Sequence, residues 1–293
     1  MTENFRDGSA ASGADAGHDA DAAVAARAMN SINDIRADDA GAVVVASSHG
    51  GLYSAYKAVA AGVRGLIVND AGGGRNGAGI AALAFGERHG LAVATIAHDS
   101  ARIGDVADMQ ARGLVSHANA GARALAIAPG QSCVAAIARM KRATCVTAAP
   151  GELQEHRHEE QIIAGAAGVV CIDSASLIVP EDAGRLVVTG SHGGLIGGRR
   201  HKAINVDCAF AAFNDAGLGR DKAGIGRLEP LDARGIAAVT VAHTSAEIGN
   251  ARSTLRHGII SHANVLAQGA GAAAGMRLLA FLAAWQTRGQ SHV

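Results

Sequence analysis

Residues 69–80 read NDAGGGRNGAGI, and residues 214–225 read NDAGLGRDKAGI. Extended from this match without a gap, segments 66–119 and 211–264 share 24 of 54 positions, far too many for chance between two Ala/Gly-rich stretches. TIAHDSARIG (95–104) falls opposite TVAHTSAEIG (240–249), and GLVSHAN (113–119) opposite GIISHAN (258–264). Further upstream SSHGG (47–51) pairs with GSHGG (190–194). The chain is an internal duplication, matched from Ser31 to Lys141 and again from Ser174 to Gln286.

Each copy alternates short apolar runs with helical stretches. In the first, strands are predicted at 42–47, 64–68, 91–97 and 113–116, with helices near 52–61, 77–88 and 101–112. The second repeats this, with strands near 185–190, 209–213, 236–242 and 258–261. Apolar runs of this length between helices read as parallel strands covered on both faces. The expected fold is α/β, with two tandem homologous repeats, each a parallel sheet in a three-layer αβα arrangement. Glycines 62, 90, 113, 235 and 258 stand where helices should end, and Ser100 and Ser245 where an N-cap should open the third helix. The expected organisation is a disordered tail over 1–18, a first repeat over 19–142, a connector over 143–173 and a second repeat over 174–293. Residues 20–37 could form one helix. In the connector, EHRHEE (155–160) reads as a solvated helical face, despite its metal-like composition.

The chain has 293 residues, a net charge of +0, 49% hydrophobic but only 3% aromatic residues, and 39 glycines. The charge balance leaves no electrostatic footprint for nucleic acid or an anionic membrane. No run of about 20 strongly apolar residues suggests a membrane span. No secretory signal is visible, and the four scattered cysteines read as buried thiols. A cytoplasmic location is the expectation.

Ligands of parallel α/β sheets bind beyond the carboxyl ends of the strands. There the first repeat offers Ser48, His49, Asn69, Asp70, His98, Ser100, His117 and Asn119. The second offers Ser191, His192, Asn214, Asp215, His243, Ser245, His262 and Asn264. Three histidines and a carboxylate per repeat are costly to bury unpaired. They suit general acid–base work or a divalent metal such as Zn, Mn or Fe. The candidate catalytic residues are His49, Asp70, His98, His117, His192, Asp215, His243 and His262, and the six histidines among them are the candidate metal ligands. Adjacent strand residues face opposite ways, so Ser48 and His49 cannot form a nucleophile–base pair. No HExxH, G-x-S-x-G or Walker A motif occurs. GGGRNG (72–77) meets the G-x-G-x-x-G pattern, but it follows an aspartate and its partner GLGRDK loses the last glycine. The turn glycines Gly72, Gly74, Gly217 and Gly219, with Arg75 and Arg220, instead suit an anionic or carboxylate group.

The amide-ring hydrolases are also built from repeats, and this chain resembles them in architecture alone. No lysine stands at a shared strand end for their serine–lysine chemistry. The leading expectation is a hydrolase acting on a small polar, cyclic amide-type C–N substrate. The alternatives are a lyase or isomerase using the same groups for proton transfer, or a non-catalytic small-anion-binding module. Small-residue stretches such as AQGAGAAAG (267–275) suggest a homo-oligomer. Whether the duplication makes two sites, or one at the seam, is left to the fold.

Overall fold

The computed structural model describes residues 24–147 and 149–290; the tail expected over 1–18 lies outside them. The first half builds a sheet of β1 (Ala26–Met29), β2 (Val43–His49), β3 (Gly65–Asn69), β4 (Ala92–Ile96) and β5 (Val115–Ala118), neighbours in chain order. Strands β1 to β4 are parallel, and β5 pairs antiparallel with β4. The second half repeats the pattern with β7 (Val169–Ile172), β8 (Leu186–His192), β9 (Phe210–Asn214), β10 (Ala237–Val241) and β11 (Ile260–Ala263). One extra strand, β6 (Arg157–Glu160), pairs antiparallel with the outer edge of β7.

Helices cover both faces of each sheet. Helices α1 (Leu52–Ala60) and α2 (Ala82–Arg88) pack on Val44, Leu66 and Val68, whereas α3 (Val106–Arg112), α4 (Ala120–Ala124) and α5 (Cys133–Met140) pack on Val43, Val45 and Ile67. In the second half α6 (Leu228–Ala233) lies on one face, and α7 (Ala251–His257), α8 (Val265–Gly269) and α9 (Leu278–Gln290) lie on the other. Valines 43, 44 and 45 are all fully buried, because a strand covered on both faces needs apolar residues throughout rather than alternation. Each contributes roughly 1.5–3 kcal/mol by burial.

Several local expectations change. Residues 26–29 form β1 and 32–34 a 3-10 turn, so no single helix runs over 20–37. The third helices begin later than expected: Asp105 and Asn250 cap them by accepting from Asp108 N and Ser253 N. Ser100 and Ser245 instead accept from Leu114 N and Ile259 N and donate to Ala97 O and Ala242 O, closing the loops after β4 and β10. EHRHEE does not form a helix, since 157–160 is β6. The second half also lacks a counterpart of α1 and has two 3-10 turns at 196–198 and 200–202 in its place.

The halves meet about a pseudo-twofold axis. Ala71 and Ile103 from one and Ala216 and Ile248 from the other form a small apolar cluster. Arg75 N donates to His243 O at 2.8 Å, and Arg220 N donates to His98 O at 2.8 Å. At the axis the two glycine turns touch. A Cβ on Gly217 (φ +76°) would lie 2.7 Å from Cδ2 of His98, and one on Gly72 (φ +72°) 2.9 Å from Cδ2 of His243. Both the backbone conformation and the contact therefore require glycine. These turns serve the seam between halves. Arg75 does too, its Nη1 donating to Ser245 O at 3.0 Å.

Candidate functional site

The strand-end residues separate into three places. The first is on the axis. Asp70 Oδ1 accepts from Gly72 N and His98 N, both at 2.9 Å, and lies 3.0 Å from His98 Nδ1. Asp215 repeats this with Gly217 N, His243 N and His243 Nδ1 at 3.0, 2.9 and 3.2 Å. Burial works to raise the Asp70 carboxyl, but hydrogen bonds from His98, Gly72 and Ser116 hold it below the usual range. His98 is raised in turn, chiefly by its hydrogen bond to Asp70. The two imidazoles face each other with ring centres 6.5 Å apart. Beside them, Asn69 Oδ1 and Asn214 Oδ1 each accept at 2.9 Å from the backbone two residues on, which shapes the turns.

The second place is the flank formed by β5 and β11. Because β5 runs against its neighbours, its carboxyl end lies at the other edge of the sheet. Asn119 there caps α4, accepts from Val93 N at 3.0 Å and donates to Leu91 O at 2.8 Å. Asn264 makes the same bonds to Ala267, Ala238 and Ile236. Both clamp the backbone and lie outside the large cavity described next. His117 lies 3.4 Å from Thr95 Oγ1, and His262 Nδ1 is buried with no partner. Neither lines the large cavity described next.

The third place joins the halves at one site. A cavity of about 840 Å³ opens between the ends of β2 and β8, with Ser48 and His49 on one side and Ser191 and His192 on the other. Ser48 Oγ accepts from Ile32 N and Ser191 Oγ from Ala175 N, each at 2.9 Å. Gly51 N donates to His49 Nδ1, and Gly194 N to His192 Nδ1, each at 3.1 Å. A backbone N–H can only donate, so each Nδ1 is bare and each neutral ring carries its proton on Nε2. Among the described residues neither Nε2 has a hydrogen-bond partner. Burial lowers His49 to about 4. Burial, then the charge of Arg227 and the nearness of His49, also lowers His192 well below its usual value. At neutral pH both are neutral imidazoles presenting Nε2–H.

Three residues that line the cavity stand at no shared strand end: Glu155, Tyr53 and Arg227. Glu155, from the connector, is raised to about 7 by burial and the nearby Asp173 carboxylate, against hydrogen bonds from Tyr53 and Ser174. Tyr53, in the first turn of α1, is raised by burial and by Glu155. Arg227, just before α6, is 5% exposed. The signal for them was divergence. Arg227 stands where the first repeat has Ala82, Tyr53 where the second has Ile196, and Glu155 lies outside the repeats.

The candidate metal ligands divide by the same logic. A histidine that binds metal through one nitrogen donates its other N–H to an oxygen. His49 and His192 cannot do this, because the other nitrogen faces a backbone N–H. His98 and His243 have the required carboxylate partner. Among the described residues, His158, Glu160 and Cys171 bring three ligand atoms within 4.8 Å of one another. His158 and Cys171 are opposed across β6 and β7, and His158 Nε2 is buried without a hydrogen-bond partner, 3.8 Å from Glu160 Oε2. That set matches the imidazole, carboxylate and thiolate preferences of zinc. No helix of the described residues is long and apolar enough to cross a membrane. No protein-family model, curated protein or solved structure matches the chain, so the site itself has to carry the functional reading.

Proposed function

We propose that the protein is a hydrolase of a small polar C–N substrate, of the cyclic amide type, with one active site at the seam between its halves. The observation that carries the reading is the pair of neutral imidazoles, one per repeat, His192 buried and His49 half-buried, whose Nε2–H groups have no acceptor among the described residues and share one cavity. Preorganised donors in a desolvated site stabilise the oxyanion of acyl transfer. Glu155, poised near 7, supplies the base. In the proposed reaction Glu155 takes a proton from water as the water oxygen adds to the carbonyl carbon. The Nε2–H groups of His49 and His192 meet the charge forming on the carbonyl oxygen. Glu155 then returns the proton to nitrogen as the C–N bond breaks.

Proton transfer by a lyase or isomerase is the second reading. It is favoured by Tyr53, a phenol that lines the same cavity as Glu155 and offers a second acid near the base. Turnover of cyclic amides in 18O-labelled water separates the two: the hydrolase places one labelled oxygen in the product, whereas a product without label and with solvent deuterium from D2O refutes it. Where a divalent metal is used, this reading assigns it to His158, Glu160 and Cys171 and not to His49 or His192. Homo-oligomerisation is supported by Val265 and Leu266 on α8, 70% and 41% exposed, and light scattering tests it.

A further inference from the structure

We propose that the substrate carries a carboxylate and that Arg227 binds it. The inference rests on the seam cavity as the substrate site and extends that reading to the chemical class of substrate. Arg227 Nε donates to Gly194 O at 3.0 Å, and Nη1 donates to Ala203 O. The guanidinium carbon stands 5.0 Å over the Phe213 ring. These contacts hold the fork in one orientation but supply no negative charge. No carboxylate pairs with Arg227 among the described residues, and Nη2 has no acceptor there. A guanidinium does not escape burial by losing its proton, and burial lowers this one only to about 10, so it is charged at neutral pH. A buried charge without a counter-charge is costly, and the backbone at this position does not require it: the equivalent Ala82 makes the same backbone bond, Ala82 N to Gly50 O and Arg227 N to Gly193 O, each at 2.8 Å.

The cavity that Arg227 lines also holds the carboxylates Glu155, Asp173 and Glu247 and the exposed cations Lys202 and Arg252. Arg227 is the buried cation among them, and one planar carboxylate matches the fork of one guanidinium. Arg227 Nε and His192 Nδ1 both bond the backbone of Gly194, so a carboxylate held by Arg227 lies near one of the proposed oxyanion donors. The substrate class is then a small amide with a carboxylate close to the C–N bond that breaks.

Isothermal titration calorimetry of the full chain at pH 7.5 with N-acetylglycine, the neutral N-acetylglycinamide and inorganic phosphate tests this. We expect saturable binding of N-acetylglycine about tenfold or more tighter than of the amide or phosphate, the scale of one charge-assisted hydrogen-bond pair. Arg227→Gln removes the preference and Arg227→Lys keeps part of it. Equal binding of acid and amide, tighter binding of phosphate, no binding of either acyl glycine, or a preference that survives in Arg227→Gln overturns the proposal. The wild-type comparison decides even where that variant fails to fold. Calorimetry needs no turnover, so selective acid binding without hydrolysis of any amide refutes the hydrolase reading alone, and amide hydrolysis with equal acid and amide binding refutes this one alone.

Discussion

Replacing His49 by asparagine separates the tautomer argument from ordinary burial. Asparagine Oδ1 can accept from Gly51 N as Nδ1 does, so the turn is kept, while Nε2–H and the titrating ring are lost. The fall of His49 from 6.5 to about 4 corresponds, at 1.36 kcal/mol per pH unit, to roughly 3 kcal/mol. The sign follows from linkage. The folded state resists protonation that the unfolded chain accepts, so this stability is fully present above pH 6.5 and is lost as the pH falls through 4. Glu155 acts oppositely: raised to about 7, it contributes stability below about 4.5 that is lost as the pH rises through 7. Wild-type stability alone therefore mixes two limbs, and the difference between wild type and His49→Asn isolates one. Urea unfolding at pH 7.5 and pH 4 should show that difference shrinking by roughly 3 kcal/mol toward acid, with hydrolysis lost at both. A difference that stays constant with pH, or full activity in the variant, refutes the assignment of His49 as a neutral donor.

Three other outcomes test the remaining parts. In wild type, kcat/KM should rise with pH through about 7 as Glu155 ionises; Glu155→Gln should lower kcat on the order of a hundredfold or more and remove that rise, as stopped assays across pH would show. Gly217→Ala should destabilise the fold by about 1–3 kcal/mol in urea titrations, because a Cβ there meets the His98 ring at a φ of +76°. Added Co2+ should give a thiolate charge-transfer absorption that Cys171→Ser abolishes; absorption that survives in the variant would place the ion elsewhere than His158, Glu160 and Cys171.

The layered fold was legible because burial on two faces writes itself as runs such as VVV at 43–45, and the duplication wrote each run twice. The short edge strands were not. ARAM at 26–29 and RHEE at 157–160 are mostly exposed or half-buried, so they carry little apolar pattern, and β1 and β6 are held by pairing to their neighbours. Strand direction was also hidden. VSHA at 115–118 has the same side-chain alternation whichever way it runs, and its antiparallel pairing moved Asn119 to the opposite sheet edge. One edge is predicted for all the shared strand-end residues, but only Ser48, His49, Ser191 and His192 line the cavity, while Asp70, His98, Asp215 and His243 meet on the axis. Which histidines meet depends on how the two halves pack, and no spacing within one half encodes that.

Symmetry explains the division of labour. A residue on the pseudo-twofold axis meets its own counterpart, so a change in one copy unbalances the other; His98 with Gly217 and His243 with Gly72 are locked in this way. Residues off the axis have no such constraint. The seam cavity joins two histidines that the repeats share to Tyr53, Glu155 and Arg227, which they do not. A symmetric cavity would hold two equivalent half-sites, whereas the proposed substrate has one scissile bond. With Glu155 on the connector as the proposed base and the Arg227 cation in one copy alone, the cavity is chemically asymmetric, as the proposed binding of a small asymmetric substrate in one orientation requires. The duplication supplied paired donors, and the loss of symmetry around them supplied direction.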